Sequence, residues 1–102
     1  QEGVVFNLAD KVEFKEGGFR PLVIDSNDKA EHVLMAVDAG VLIPDHQAPA
    51  DLIFQALEGE GVLQVGVIVH PVRKGDFLFM KKGTLHHLQA VTKFKFSMVR
   101  IY

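Results

Sequence analysis

Cysteine is absent from this chain of 102 residues. Its absence excludes disulfide bonds, thiolate metal ligands and cysteine nucleophiles, and it is consistent with a reducing compartment. No apolar run approaches the ~18 residues that a membrane-spanning helix requires, and the first residues lack the basic and then apolar layout of a secretory signal. We therefore expect a cytoplasmic protein with no membrane partner.

An excess of charge of one sign is also missing, because 11 basic and 13 acidic residues leave a net charge of −2. A nucleic-acid-binding surface concentrates Lys and Arg against phosphates, and no such run is present. We therefore predict no nucleic-acid partner. Hydrophobic residues make up 48% of the chain, which is enough for one core, and the length predicts a single domain over residues 1–102.

Long helical periodicity is hard to find, because the apolar residues stand in short runs that Gly, Asp, Asn or Pro interrupts. Short runs at this spacing are typical of an all-β sandwich or barrel. One short helical turn is predicted at residues 28–31. Strands are predicted over residues 4–8, 11–14, 21–24, 33–38, 41–43, 52–57, 62–66, 68–72, 77–80, 85–90 and 93–102.

Glycine and histidine occur at the spacing of a known motif. In this motif G is followed after five residues by H, after one by a second H, after three or four by E, and after six by G. The chain keeps both glycines and the first histidine, whereas Ala and Leu replace the second histidine and the glutamate. The motif positions are occupied by Gly40, His46, Ala48, Leu52 and Gly59.

A second motif follows further along the chain. In it G is followed after five residues by P, after one by G, after two by H, and after three by N. The chain again keeps both glycines and the histidine, whereas Lys and Ala replace the proline and the asparagine. These positions are occupied by Gly75, Lys81, Gly83, His86 and Ala90.

Over residues 40–90, about half of its length, the chain resembles the cupin superfamily, as a small single-domain cupin of the type-2 conserved barrel kind with a degenerate metal-binding motif. The resemblance implies an all-β fold, an antiparallel double-stranded β-helix or jelly roll. It also implies an interior pocket that usually holds a divalent metal on three His and one Glu. A homodimer is a further implication, since small members of this family commonly pair.

Two of the four metal ligands of the family are present, namely His46 and His86. Ala48 has no donor atom and Leu52 has only methyl groups, whereas transition-metal sites need three or more donors. Asp51 or Gln55 could supplement the histidines if a bulge or a register shift turned either side chain inwards. A metal-dependent enzyme of dioxygenase, isomerase or lyase type, holding Zn, Ni, Mn or Fe on these residues, is therefore the alternative prediction.

The main prediction is a protein that binds a small molecule of undefined identity in a mostly apolar interior pocket. Alternation along the strands turns both His46 and His86 inwards and His87 outwards. A structural domain with a filled core and no cavity is a third possibility. The predicted pocket residues are Leu42, Ala48, Leu52, Phe54, Leu88 and Phe96.

Overall fold

A computed structural model describes residues 2–102, which form strands connected by tight turns. One turn of 3-10 helix, Leu8–Asp10, precedes the strands. Within residues 2–102 no helix has the length and apolar character needed to cross a membrane. The strands of this part of the chain are β1 (Phe19–Ser26), β2 (Ala30–Val37), β3 (Leu42–Gln47), β4 (Asp51–Glu58), β5 (Glu60–Val65), β6 (Ile68–Arg73), β7 (Phe77–Met80), β8 (Leu85–Ala90) and β9 (Phe94–Ile101).

The strands form two antiparallel sheets that enclose the core. One sheet has five strands in the order β1-β2-β9-β4-β7, and the other has four in the order β3-β8-β5-β6. Most connections carry the chain from one sheet to the other, so that neighbours in sequence alternate between the two layers. This arrangement confirms the predicted all-β fold, an antiparallel double-stranded β-helix or jelly roll.

Alternating apolar residues on β4 and β9 form the centre of the core. Phe54 on β4 lies 5.0 Å from Phe96 and 6.4 Å from Phe94 on β9, measured between ring centroids. Both distances are typical of aromatic pairs that contribute packing energy beyond their buried area. Burial of one such ring stabilises the fold by roughly 1.5–3 kcal/mol. These three rings of the five-stranded sheet share one buried cluster with Leu63 and Leu88 of the four-stranded sheet.

The N-terminal residues cover the outer face of the five-stranded sheet, where Val12 packs against Leu34 and Ala36 of β2. They also bury Lys95, whose Nζ donates a hydrogen bond of 2.6 Å to the carbonyl oxygen of Ala9. Alternation along β9 by itself predicts that Lys93 and Lys95 share a solvated face, and this prediction is wrong for Lys95, which is buried. The covering segment lies 86 residues away in sequence, and the strand pattern carries no sign of it.

Several predicted elements differ from the structure. Residues 4–8 and 11–14 form no strands, because this segment packs across the outer sheet face and its 3-10 turn is capped by the Asn7 side chain. The predicted helical turn at residues 28–31 is also wrong. The side chain of Asn27 accepts hydrogen bonds from the backbone N–H groups of Lys29 and Ala30, which closes a turn, and β2 begins at once.

Gly59, at the turn between β4 and β5, lies against another chain segment. Its φ is +80°, and a Cβ atom at this position would lie 1.9 Å from the carbonyl oxygen of Lys93. Gly75 also has a positive φ, of +93°, but among residues 2–102 no heavy atom beyond the glycine and its two chain neighbours lies within 4 Å of its Cβ position. Alanine at position 59 would therefore combine backbone strain with a steric clash, whereas alanine at position 75 would cause backbone strain alone.

We predict that Gly59→Ala lowers the free energy of unfolding by at least about 3 kcal/mol, because the backbone of Lys93 must move. Gly75→Ala should cost only about 1–2 kcal/mol, the strain of a left-handed alanine. Chemical denaturation of both variants measures the difference. Equal losses would contradict the close approach at Gly59.

Candidate functional site

The two motif histidines, 40 residues apart in sequence, lie side by side in the structure. His46 on β3 pairs directly with His86 on β8, and their ring centroids are 4.1 Å apart at an interplanar angle of 61°. The antiparallel pairing of these two strands positions both rings. His86 is 5% exposed, whereas His46 is exposed to solvent, so the pair runs from the interior to the surface.

Each imidazole has its tautomer set by a backbone carbonyl. Nδ1 of His46 lies 3.1 Å from the carbonyl oxygen of Pro44, and Nδ1 of His86 lies 3.1 Å from that of Thr84. Because a carbonyl oxygen can only accept, Nδ1 carries the proton in the neutral form of each ring. Each Nε2 then presents a lone pair, and neither Nε2 has a hydrogen-bond partner within residues 2–102.

Burial lowers the pKa of His86 below its ordinary value. The hydrogen bond with Thr84 opposes this shift, and the nearby His46 ring adds to it. The uncharged imidazole is therefore the favoured form of His86 at neutral pH. A neutral ring with a free Nε2 can accept a hydrogen bond, take up a proton or bind a metal ion.

Both imidazoles line a cavity of about 230 Å³ between the sheets. Apart from these two rings and Arg100, its walls are apolar. The lining residues of the four-stranded sheet are Ile43, His46, Leu63, His86 and Leu88. Those of the five-stranded sheet are Phe19, Met35, Phe54, Met80, Phe96, Met98 and Arg100.

Three of the predicted pocket residues line this cavity, namely Phe54, Leu88 and Phe96. The structure differs from the prediction at Leu42, which is 51% exposed. The register of β3 shifts between Ile43 and His46, where three steps on β3 match two on β8. This irregularity reverses the alternation before His46, so that Ile43 takes the inward place expected for Leu42.

The other two predicted pocket residues, Ala48 and Leu52, are buried but do not line the cavity. They are 3% and 0% exposed and belong to the packed core. They occupy the places of the second histidine and the glutamate of the motif. Their side chains therefore fill the space of those two ligands with apolar atoms.

Neither predicted supplementary ligand lies at the cavity. Oδ1 of Asp51 accepts a hydrogen bond of 2.9 Å from the backbone N–H of Lys82, and Gln55 is exposed on the outer side of the five-stranded sheet. Asp45 is also directed elsewhere, because its carboxylate contacts Nδ1 of His87. In the part of the chain that the structure describes, no three His, Cys, Asp or Glu side chains are grouped to hold a metal ion.

The donor set at the cavity therefore does not fit the divalent centre that the family resemblance implies. Two imidazoles are one donor short of the three that such sites need, and within residues 2–102 no carboxylate lines the cavity with them. Because Ala48 and Leu52 are packed into the core, the missing ligands cannot be restored at the same places by a change of side-chain conformation.

Arg100 is a cavity residue that the sequence prediction missed. It continues the inward face of β9 beyond Phe96 and Met98, and its guanidinium forms an ion pair with Glu31 of β2. Its Nε is buried without a hydrogen-bond partner. The alternation of β9, extended by two residues, would have located it.

Comparison with known proteins bears on the fold. No protein-family model and no curated protein matches this sequence. Among solved structures, a cupin superfamily protein from Desulfitobacterium hafniense superposes with a TM-score of 0.91 at 17% identity, over 99% of this chain and 93% of that chain. An RmlC-like cupin from Desulfovibrio desulfuricans gives a TM-score of 0.84 at 27% identity, over 96% and 95%. The chain has the cupin fold.

The cupin barrel also occurs in an enzyme among these structures. A salicylate 1,2-dioxygenase variant from Pseudoaminobacter salicylatoxidans, in complex with gentisate, has a TM-score of 0.78 at 19% identity, over 82% of this chain and 25% of that chain. At this identity the likeness concerns the fold alone. The cupin motifs of this chain thus keep their four glycines, which lie in turns of the barrel, and two of their four metal ligands.

We predict that metal-free protein loses stability as the pH falls below about 6.5 and that His86 contributes to this loss. The lowered pKa of His86 means that the unfolded chain binds the proton more readily, so its contribution is complete above about pH 6.5 and declines towards the folded pKa. Chemical denaturation from pH 7.5 to 4.5, with a chelator, measures the slope.

The difference between wild type and His86→Gln isolates this contribution, because the amide can keep the hydrogen bond to Thr84. His70→Gln, on β6 outside the cavity, is the matched control and should retain the slope of the wild type. An unchanged slope in His86→Gln would refute the assignment.

Proposed function

We propose that this cupin barrel binds a small, mostly apolar molecule carrying one hydrogen-bond donor such as a hydroxyl group. The observation that supports the proposal is the cavity of about 230 Å³, in which two free imidazole nitrogens meet apolar walls. An apolar pocket with a few convergent polar groups is the usual form of a small-molecule site.

The cavity limits the size of the ligand. Its volume is below the ~300 Å³ at which sites for drug-sized molecules begin. At ~30 Å³ for each water molecule in the liquid, it has room for about seven or eight waters. A substituted benzene ring is of this size, and the phenylalanine and methionine side chains of the lining suit such a ring.

The tautomers of the two histidines define the polarity of the ligand. Because Nδ1 of each ring donates to a backbone carbonyl, the free nitrogens of His46 and His86 are acceptors. A ligand that donates a hydrogen bond satisfies one of them, whereas an acceptor-only group does not. Arg100 supplies donors at the same cavity: Glu31 engages its Nη1, whereas its Nε has no hydrogen-bond partner among residues 2–102.

The metal-dependent enzyme is the second candidate, and it rests on the occurrence of this fold in enzymes such as the salicylate dioxygenase. The donor set of this chain favours it less, since two imidazoles remain of the four ligands. A filled structural domain is also less favoured, because the barrel contains a cavity. The homodimer and the cytoplasmic location stay predictions.

The proposal is tested with 4-methylphenol and para-xylene, two molecules of nearly equal shape that differ in one hydroxyl group. We expect 4-methylphenol to bind more tightly by about threefold to tenfold, the gain from one hydrogen bond. Protein labelled with ¹³C at the methionine methyl groups reports binding directly by NMR, because Met35, Met80 and Met98 are the three methionines of the chain and all line the cavity.

The double variant His46→Leu with His86→Leu should bind both molecules with similar affinity, since it removes both acceptors from the cavity and keeps an apolar wall. His70→Leu, outside the cavity, should behave as the wild type. The proposal fails if neither compound shifts a methionine methyl resonance, or if the preference for 4-methylphenol persists when both imidazoles are removed.

A further inference from the structure

The cavity also contains thioether sulfur atoms, which the proposed function uses only as part of the apolar wall. All three methionines of the chain, Met35, Met80 and Met98, line it together with His46 and His86. Met80 is 3% exposed and Met98 is 8% exposed, so their thioethers lie inside the barrel. A cavity wall of this kind combines imidazole nitrogen with thioether sulfur.

Two of the three thioethers lie at the histidine end of the barrel. Met80 ends β7 and His86 follows the start of β8, so they flank the same turn and enter the cavity from opposite sheets. Met80 pairs with Leu52, and Leu52 pairs with Arg100. This row lies where β4 begins after β3 and where β7 ends before β8, and β3 and β8 are the strands that carry the two histidines.

Met98 is the next inward residue on β9 after Arg100, one row deeper in the barrel. Met35 lies one row further still, where it pairs with Phe96. Met80 and Met98 thus lie in the first two rows from that end of the five-stranded sheet, and Met35 lies in the third. Three rotatable bonds give each methionine the reach to adjust its sulfur towards an ion.

The chemistry of these donors is selective. Thioether sulfur is a soft ligand that favours Cu(I), whereas Mg²⁺, Ca²⁺ and Mn²⁺ prefer oxygen donors, which this cavity does not provide apart from the backbone. Imidazole with a free Nε2 suits copper as well as zinc. Arg100 contributes positive charge that Glu31 balances, and a monovalent ion is repelled less by the guanidinium than a divalent one.

We propose that the histidine end of the cavity binds one soft monovalent ion, Cu(I) or its analogue Ag(I), through His46, His86 and the thioethers of Met80 and Met98. This site differs from the divalent centre that the family motif implies, because two of its donors come from β7 and β9 and occupy none of the ligand positions of the two motifs. The inference does not depend on the proposed binding of an organic ligand.

The experiment is a titration of metal-free protein with Ag(I) in chloride-free buffer, followed through the ¹³C-labelled methionine methyl resonances and by competition with a chelator of known affinity. We expect binding of one ion per chain, with larger shifts for Met80 and Met98 than for Met35. Zn²⁺ at the same concentration should leave all three resonances unmoved. Cu(I) kept under anaerobic conditions should reproduce the Ag(I) shifts.

The double variant Met80→Leu with Met98→Leu should weaken Ag(I) binding at least tenfold, and leucine conserves enough volume to keep the core packed. His46→Gln, at the exposed end of the pair, is a second test that avoids the core and should also weaken binding. His70→Leu is the matched control, with an imidazole removed outside the cavity and wild-type affinity expected. Thermal unfolding verifies that each variant is folded.

Ag(I) binding that survives loss of both thioethers, or that requires His70, would overturn the proposal, as would the absence of stoichiometric binding. The outcomes separate the two proposals. If Ag(I) fails to bind while 4-methylphenol shifts the methionine resonances, the ion site is wrong and the organic ligand stands. If Ag(I) binds and 4-methylphenol does not, the ion site stands and the proposed organic ligand is wrong.

Discussion

The pairing of β3 with β8 is the contact on which the candidate site depends. It places His46 directly across from His86, and the two backbone carbonyls beside them set both tautomers. Each ring is thereby held with its Nε2 free, so that the site is prepared before any ligand arrives. The opposite sheet closes the cavity with aromatic and thioether side chains, and this apolar enclosure keeps His86 uncharged.

Replacement of two ligand positions changes what this cupin barrel can hold without changing its shape. Ala48 and Leu52 pack into the core, where a histidine and a glutamate would need polar partners. The retained glycines and histidines therefore identify the fold. The side chains that line the cavity decide which ligands it can bind. Both proposals follow from this difference, since one uses the apolar volume and the other uses the sulfur atoms that line it.

The repeated turn residues and the two motifs were enough to predict the jelly roll and the convergence of His46 and His86. Alternation also placed Phe54, Leu88 and Phe96 at the interior, because β4, β8 and the inner part of β9 keep a regular register there. It failed at Leu42, where one extra residue on β3 reverses the facing of the side chains before His46. Such an irregularity arises from pairing with β8, and its local sign is Pro44, because sheets accept proline mainly at edge strands and bulges.

The sequence by itself determined the fold class, the inward faces of β4, β8 and β9, and the loss of two metal ligands, because these follow from local alternation and from the residue types at motif positions. The tertiary structure alone decided that three methionines and Arg100 share one cavity with the histidine pair, and that Asp51 and Gln55 lie outside it. The physical reason is that a cavity is formed by strands distant in sequence. Its contents depend on how two sheets are stacked, which no single strand encodes.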